Sequence, residues 1–225
     1  MYRLDDDHVL RLPDFETFPW LEHGFGTKRS GDWPNPLERA TLRQKHSTRV
    51  AIIRHGGVHG DGDALVTNKP GLYVAVKTAD CIPVLLVDVE HRAVAAVHAG
   101  WRGTAGNIVR SVIDTLVSEF HTDPSELRAA IGPGIRKCCY AVGTDVARQF
   151  SGWIPELESA GDGAMLDLTE INRRQLIEAG VEPAHVWGDS ATGWCTRCET
   201  EWLHSFRRDG DAAGRMHSAI RITAA

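Results

Sequence analysis

The fold turns on residues 72–104, LYVAVKTADCIPVLLVDVEHRAVAAVHAGWRGT. Three runs rich in Val, Leu and Ala, at 72–76, 83–89 and 93–98, are separated by the polar breaks around Asp80-Cys81 and Glu90-His91-Arg92. Each run is too short for a helix, so the stretch reads as consecutive strands of a buried sheet. Similar short runs at 50–53 and 64–67 extend that pattern upstream. Downstream the period changes: Ile108, Val109, Val112, Ile113, Leu116, Val117 and Phe120 recur at helical spacing between Gly103-Thr104 and Asp123-Pro124. A strand is expected at 129–132, helices at 143–150 and 168–178, the second closed by Gly180, and strands at 185–188 and 216–222. Strands come in runs rather than alternating with helices, which predicts an α+β fold of layered mixed β-sheets flanked by helices. Residues 1–49, interrupted by Pro13, Pro19, Pro34 and Pro36, are expected to form an irregular N-terminal segment of loops, a brief strand or hairpin and one short helix, within one domain spanning 1–225.

The 225 residues are 42% hydrophobic and 24% charged, a folded globular composition rather than a disordered one. A formal net charge of -5 argues against a protein devoted to gripping nucleic acid. No run of 18 apolar residues suggests a membrane span, and the polar start, with Asp5, Asp6 and Asp7, lacks the apolar core of a secretory signal. A cytoplasmic location is therefore expected. The five cysteines should then be thiols, ligands or catalytic groups rather than disulfides.

Cys81 stands beside Asp80 at a strand edge, and His98 stands at the exit of the next strand, so two neighbouring strand ends offer a thiol and an imidazole to one rim. A lone buried His is more often a hydrogen-bonded core residue, and a lone Cys a small hydrophobe. The polar and glycine-rich surroundings of both favour chemistry instead. Cys195-x-x-Cys198 lacks a second pair at matching spacing, and the adjacent Cys138-Cys139 looks too cramped to supply one. The segment 55–63 carries His55, His59, Asp61 and Asp63 but is rich in glycine, which reads as a loop, and the two histidines are left outside the site.

The chain resembles the YfiH-like proteins, also known as DUF152, multicopper polyphenol oxidase or laccase-domain proteins, and as purine nucleoside phosphorylases. The resemblance rests on QKHSTRV (44–50), DALVT (63–67), TADCIPVLLVD (78–88), AAVHAGWRGT (95–104), AIGPGI (130–135), CYAVG (139–143), LDL with Asn172, CT (195–196) and SFRRDGDAAGR (205–215). Between His23 and Gln44 the chain is shorter than the family's usual N-terminal segment, a departure that bears on substrate contacts. The resemblance implies a metal site built from His46, Cys81 and His98. Two imidazoles and a thiolate suit zinc, and three protein ligands leave a fourth tetrahedral position open, which is a catalytic rather than a structural arrangement. Zinc lowers the pKa of a bound water to about 7. Copper is the competing metal, but a blue site usually takes an axial Met, and Met1, Met165 and Met216 lie outside the three segments.

Asp80, next to Cys81, is the preferred carboxylate for catalysis, with Asp63 a second candidate that orients a ligand or contacts substrate. The turn at 100–104 could aim backbone N–H groups and Arg102 at a phosphate, with Trp101 stacking on a purine. Arg102 in a structural pair and Trp101 in the core are the plainer readings. Arg207 is a substrate contact by resemblance only. The implied activity is phosphorolysis of adenosine, inosine or methylthioadenosine together with adenosine deamination; the small-molecule partners are a purine nucleoside and phosphate, and the oligomeric state stays open. The alternative is a Cys-His amidohydrolase editing peptidoglycan precursors, with Cys81 the nucleophile activated by His98. Copper-dependent phenol oxidation comes last.

Overall fold

The computed structural model describes residues 2–188 and 194–224. Its strands in chain order are β1 (Arg3–Leu4), β2 (Leu10–Arg11), β3 (Leu21–Phe25), β4 (Arg39–Arg43), β5 (Val50–Ile52), β6 (Gly57–Asp61), β7 (Ala64–Thr67), β8 (Tyr73–Thr78), β9 (Ile82–Asp88), β10 (Ala93–Ala99), β11 (Leu127–Ile131), β12 (Ala141–Val142), β13 (Ala164–Met165), β14 (Val186–Trp187) and β15 (Met216–Ile222). The helices are α1 (Pro13–Glu16), α2 (Trp101–Ala105), α3 (Ile108–Phe120), α4 (Thr144–Ala147), α5 (Leu168–Glu178) and α6 (Phe206–Asp209). One sheet runs β1-β2-β3-β15-β8-β4-β6 and a second runs β14-β11-β9-β10-β7-β5. Both are mixed: β4 pairs parallel with β6 and β8, and β5 with β7, while β9, β10 and β11 pair antiparallel. The architecture is the α+β arrangement of layered mixed sheets.

Alternation along β9 and β10 explains the layering. Val84, Leu86, Ala95 and Val97 pack with Val109, Val112 and Leu116 of α3. The intervening Leu85, Val87, Val94 and Ala96 face the other sheet and pack with Val74, Val76, Ile220 and Ile222. These central strands are covered on both faces, so their sequence is apolar without a gap instead of alternating. Each fully buried aliphatic side chain contributes about 2 kcal/mol of transfer free energy, which makes this double-sided packing the dominant stabilising term. Helix α3 buries Ile108, Val109, Val112, Ile113, Leu116 and Phe120, the expected stripe except for Val117, which is exposed.

Four local expectations need correction. The N-terminal segment holds the expected short helix, α1, but more strand than one brief hairpin: it supplies β1 to β4, with β3 paired antiparallel to β15. Its strands are short and carry polar residues, such as His23, whose partners lie far away in sequence. Residues 57–61, read as loop, form β6 at the edge of the larger sheet, where exposure removes any apolar signal. The turn at 100–104 does not run directly into the long helix. It forms the five-residue α2, and the chain breaks at Gly106-Asn107, where Asn107 adopts φ 57° and its side chain caps α3 at the Arg110 N–H. The helix expected at 143–150 likewise tightens after α4 into a 3-10 turn. No helix among the described residues is long and apolar enough to cross a membrane.

His23 gives this fold a defined acid response. Its Nε2 accepts the Leu12 backbone N–H at 2.9 Å, so the neutral ring is built into the core of the hairpin. Burial, reinforced by the Arg11 charge, depresses its pKa from 6.5 to about 3. Below 6.5 the unfolded chain therefore binds a proton that the folded chain refuses, and stability falls as pH falls. Between pH 7 and pH 5 this group alone should remove about 2 kcal/mol of stability. Denaturant unfolding across that range should show His23→Gln flattening the slope by close to one proton; an unchanged slope would assign the acid response elsewhere.

Candidate metal centre

Each of the three expected ligands is delivered by a different structural device. Gln44 follows β4 and mimics a strand neighbour: its Nε2 donates to the Lys77 carbonyl at 2.8 Å and its Oε1 accepts the Lys77 N–H at 2.8 Å. That anchor fixes the following loop against the end of β8. The loop then wraps a single buried carboxylate, Asp63, which accepts backbone N–H groups from Lys45, His46 and Ser47 at 2.7–3.2 Å and the Ser47 hydroxyl at 2.6 Å. Holding three successive N–H groups on one acid forces His46 into the left-handed region, φ 58°. His98 comes from β10 and donates from Nδ1 to the same carboxylate at 2.8 Å. Because Nδ1 is committed, Nε2 is the nitrogen left to face a ligand.

Cys81 sits where β8 passes into β9. Its Sγ lies 3.8 Å from His46 Nε2, the two imidazole centroids are 4.9 Å apart, and the ligand atoms of His46, Cys81 and His98 all lie within 4.8 Å of one another. His98 is buried, Cys81 half-buried and His46 exposed, so the group is open on the His46 side. The glycine after Ala99 is required by this closeness. A Cβ on Gly100 would stand 2.8 Å from His46 Cδ2 and 3.0 Å from Cys81 Sγ. Gly100→Ala should therefore displace two ligands while leaving the sheet intact, weakening metal binding about 10- to 100-fold in a competition titration with an unchanged circular dichroism spectrum. Equal affinity in the variant would show that the two side chains do not act together.

The charges reinforce one another. Burial would raise the Cys81 thiol, but hydrogen bonds and charge from His46 and His98 pull it down to about 6. Burial would lower His98, yet Asp63 and Cys81 hold it up at about 9. Burial also opposes ionisation of Asp63, and its bonds to His98 and Ser47 override that, keeping the acid well below the usual carboxylate range. All three shifts favour the charged forms, thiolate, imidazolium and carboxylate, a donor set that a soft-to-borderline dication can enter by displacing a proton.

The remaining expected residues separate. Asp80, the preferred catalytic carboxylate, accepts the Thr196 hydroxyl at 2.5 Å and the Arg207 N–H at 2.6 Å, pinning the C-terminal segments to the Cys81 strand end. The orienting role falls to Asp63, which has no exposed surface with which to meet substrate. Arg207 donates to the Ala141 carbonyl at 2.8 Å and lies 5.0 Å over the Tyr140 ring, so it braces the wall. Trp101 is half-buried against the helix-side core, with the exposed Arg102 guanidinium 4.2 Å over its ring. Tyr140 and Ser47 were not singled out from sequence. Burial, then the Cys81 charge, pushes the Tyr140 hydroxyl to about 12, so it stays a neutral donor beside the thiolate.

A family model described as Multi-copper polyphenol oxidoreductase laccase matches residues 32–223. A purine nucleoside phosphorylase of Clostridium acetobutylicum is 36% identical over 191 residues, 84% of this chain and 79% of that protein. Adenosine deaminase RL5, from an unknown prokaryotic organism, is 36% identical over 195 residues, 79% of this chain and 72% of that protein. The crystal structure of Bacillus licheniformis hypothetical protein YfiH superposes with a TM-score of 0.87 at 26% identity, covering 99% of both chains.

Proposed function

The chain belongs to the multi-copper polyphenol oxidoreductase laccase family, and on that premise we propose that it is a zinc-dependent purine nucleoside phosphorylase that also deaminates adenosine. The observation that carries this reading is the convergence of His46, Cys81 and His98 around one point, with Asp63 holding the buried imidazole. Two imidazoles and a thiolate fit zinc, and His46, Cys81 and His98 would hold it with one coordination position left open. When bound, the ion supplies Lewis acidity at that position. Similarity to proteins named for phosphorolysis and for adenosine deamination supports the substrate class.

The chain's own residues supply the rest. Asp63 keeps His98 in one tautomer and one orientation. Tyr140, neutral at physiological pH, offers a hydrogen-bond donor next to Cys81. Arg102, exposed at the start of α2 with its guanidinium over the Trp101 ring, is the cation proposed to meet phosphate. Phosphorolysis breaks the bond between the sugar's anomeric carbon and the purine nitrogen, forms a carbon–oxygen bond to phosphate, and returns a proton to the base. Deamination replaces the purine amino group with oxygen from water and releases ammonia.

Incubating metal-replete protein with adenosine tests both. Adenine and ribose 1-phosphate should appear only with phosphate, inosine should appear with or without it, and chelation should stop both until zinc is restored. Metal-replete protein that yields none of these products would overturn the assignment. A Cys-His amidohydrolase is the second reading, favoured by the lowered thiol pKa of Cys81 between two imidazoles. It requires that chelated protein keep full turnover and lose it to iodoacetamide.

A further inference from the structure

We propose that Cys138, Cys139, Cys195 and Cys198 form a second metal site, a four-thiolate centre suited to zinc, which clamps two chain segments into one wall of the His46–Cys81–His98 centre. The four sulfurs lie within 4.8 Å of one another. Cys138 Sγ is 3.8 Å from Cys139 Sγ and 3.9 Å from Cys198 Sγ, and Cys139 Sγ is 3.4 Å from Cys198 Sγ. A zinc–sulfur bond of about 2.3 Å in a tetrahedron sets its sulfurs about 3.8 Å apart. All four cysteines are free thiols.

Two tight turns build the cluster. In one, the Cys139 and Tyr140 N–H groups donate to the Arg136 carbonyl at 2.9 and 3.0 Å. In the other, the Cys198 and Glu199 N–H groups donate to the Cys195 carbonyl at 3.1 and 2.9 Å, bringing the first and fourth residues of Cys-Thr-Arg-Cys together. The Cys195 sulfur also receives backbone N–H groups from Arg136, Cys198 and Arg197, the arrangement that a ligating thiolate needs when buried. A bridge between Gly134 and Cys195, and the Thr196 N–H on the Gly134 carbonyl at 3.1 Å, lock the turns face to face.

Core packing does not account for this gathering, because Cys195 alone of the four is buried while Cys138 and Cys198 are exposed. Lys137 and Arg197 flank the cysteines in sequence, and cations close to four thiolates around a dication offset their net negative charge. The consequence reaches the first centre through chain neighbours. Cys139 precedes Tyr140, which lies under Arg207, and Cys195 precedes Thr196, which donates to Asp80 beside Cys81. A metal in the cluster would thus hold the Tyr140 wall and the Asp80 bracket in register. Filling it exchanges thiol protons for the ion and requires no oxidant.

The test counts metal in the reduced, full-length protein. Cys138→Ser with Cys198→Ser should lose one zinc equivalent per chain relative to the parent, whatever the His46 site holds. X-ray absorption of zinc-loaded Cys81→Ala should show a shell dominated by sulfur at about 2.3 Å. That variant keeps all four cluster cysteines, so the readout survives even if the double variant fails to fold, and it separates this site from the first. Cobalt-loaded Cys81→Ala should likewise show strong thiolate-to-metal charge transfer. Cys81→Ala protein that takes up neither metal through sulfur would overturn the proposal. So would a Cys139–Cys198 disulfide in protein isolated from reducing cytosol, or a double variant that folds and keeps its full zinc content.

Discussion

Replacing His98 with Ala should lower turnover of adenosine by at least about a thousandfold, equivalent to about 4 kcal/mol of lost transition-state stabilisation. His98 is the buried member of the ligand group and its ring is held by Asp63, so its loss removes a donor atom of fixed orientation. The loss should appear in kcat and in the metal content together. A purely structural role would instead reduce the amount of folded protein while the surviving molecules kept normal turnover. Activity per folded, metal-analysed molecule is therefore the deciding measurement, and a variant within tenfold of the parent would remove His98 from the catalytic centre.

The second large effect is expected at Asp63, where a buried carboxylate gathers the 45–47 backbone, the Ser47 hydroxyl and His98. Asp63→Ala leaves those donors without an acceptor and His98 without its counter-charge. Breaking a buried charged network in this way costs about 3–5 kcal/mol. Denaturant unfolding should register that loss, and a metal competition titration should register weaker binding by about 10- to 100-fold, because the loop carrying His46 and the His98 ring both lose their anchor. Asp63→Asn keeps the shape but turns one acceptor into a donor, so it should fall between the two. An Asp63→Ala protein as stable as the parent would mean that water or a neighbouring group replaces the carboxylate.

Legibility in the sequence followed burial. Strands β7 to β10 and helix α3 could be read directly, since covering a strand on both faces leaves an unbroken apolar run and covering one face of a helix leaves a 3.6-residue stripe. Strands β3, β4 and β6 could not. β6 lies at an exposed edge, and β3 carries His23 in a buried position whose hydrogen-bond partner, Leu12, is a backbone group eleven residues away. Cys81 and His98 were visible as strand-end residues in polar settings. His46 was not: it is 35 residues from Cys81, in a loop, and its place came from family pattern alone. Asp80 looked better than Asp63 by adjacency, yet side chains at neighbouring positions point differently, and Asp80 turns to Thr196 and Arg207.

The amino-acid sequence by itself determined the order of the buried strands β7 to β10 and of helix α3, the α+β class, and two of the three residues that meet in the candidate metal centre. Those properties follow from local periodicity and from residue chemistry at chain breaks, both of which are written along the chain. Only the tertiary structure decided that Asp63 organises the centre, that Asp80 braces it, and that an adjacent cysteine pair meets a Cys-x-x-Cys turn 56 positions further on (139 to 195). Convergence of this kind depends on how two sheets stack and where their connecting turns emerge, and spacing along the chain carries no measure of that distance.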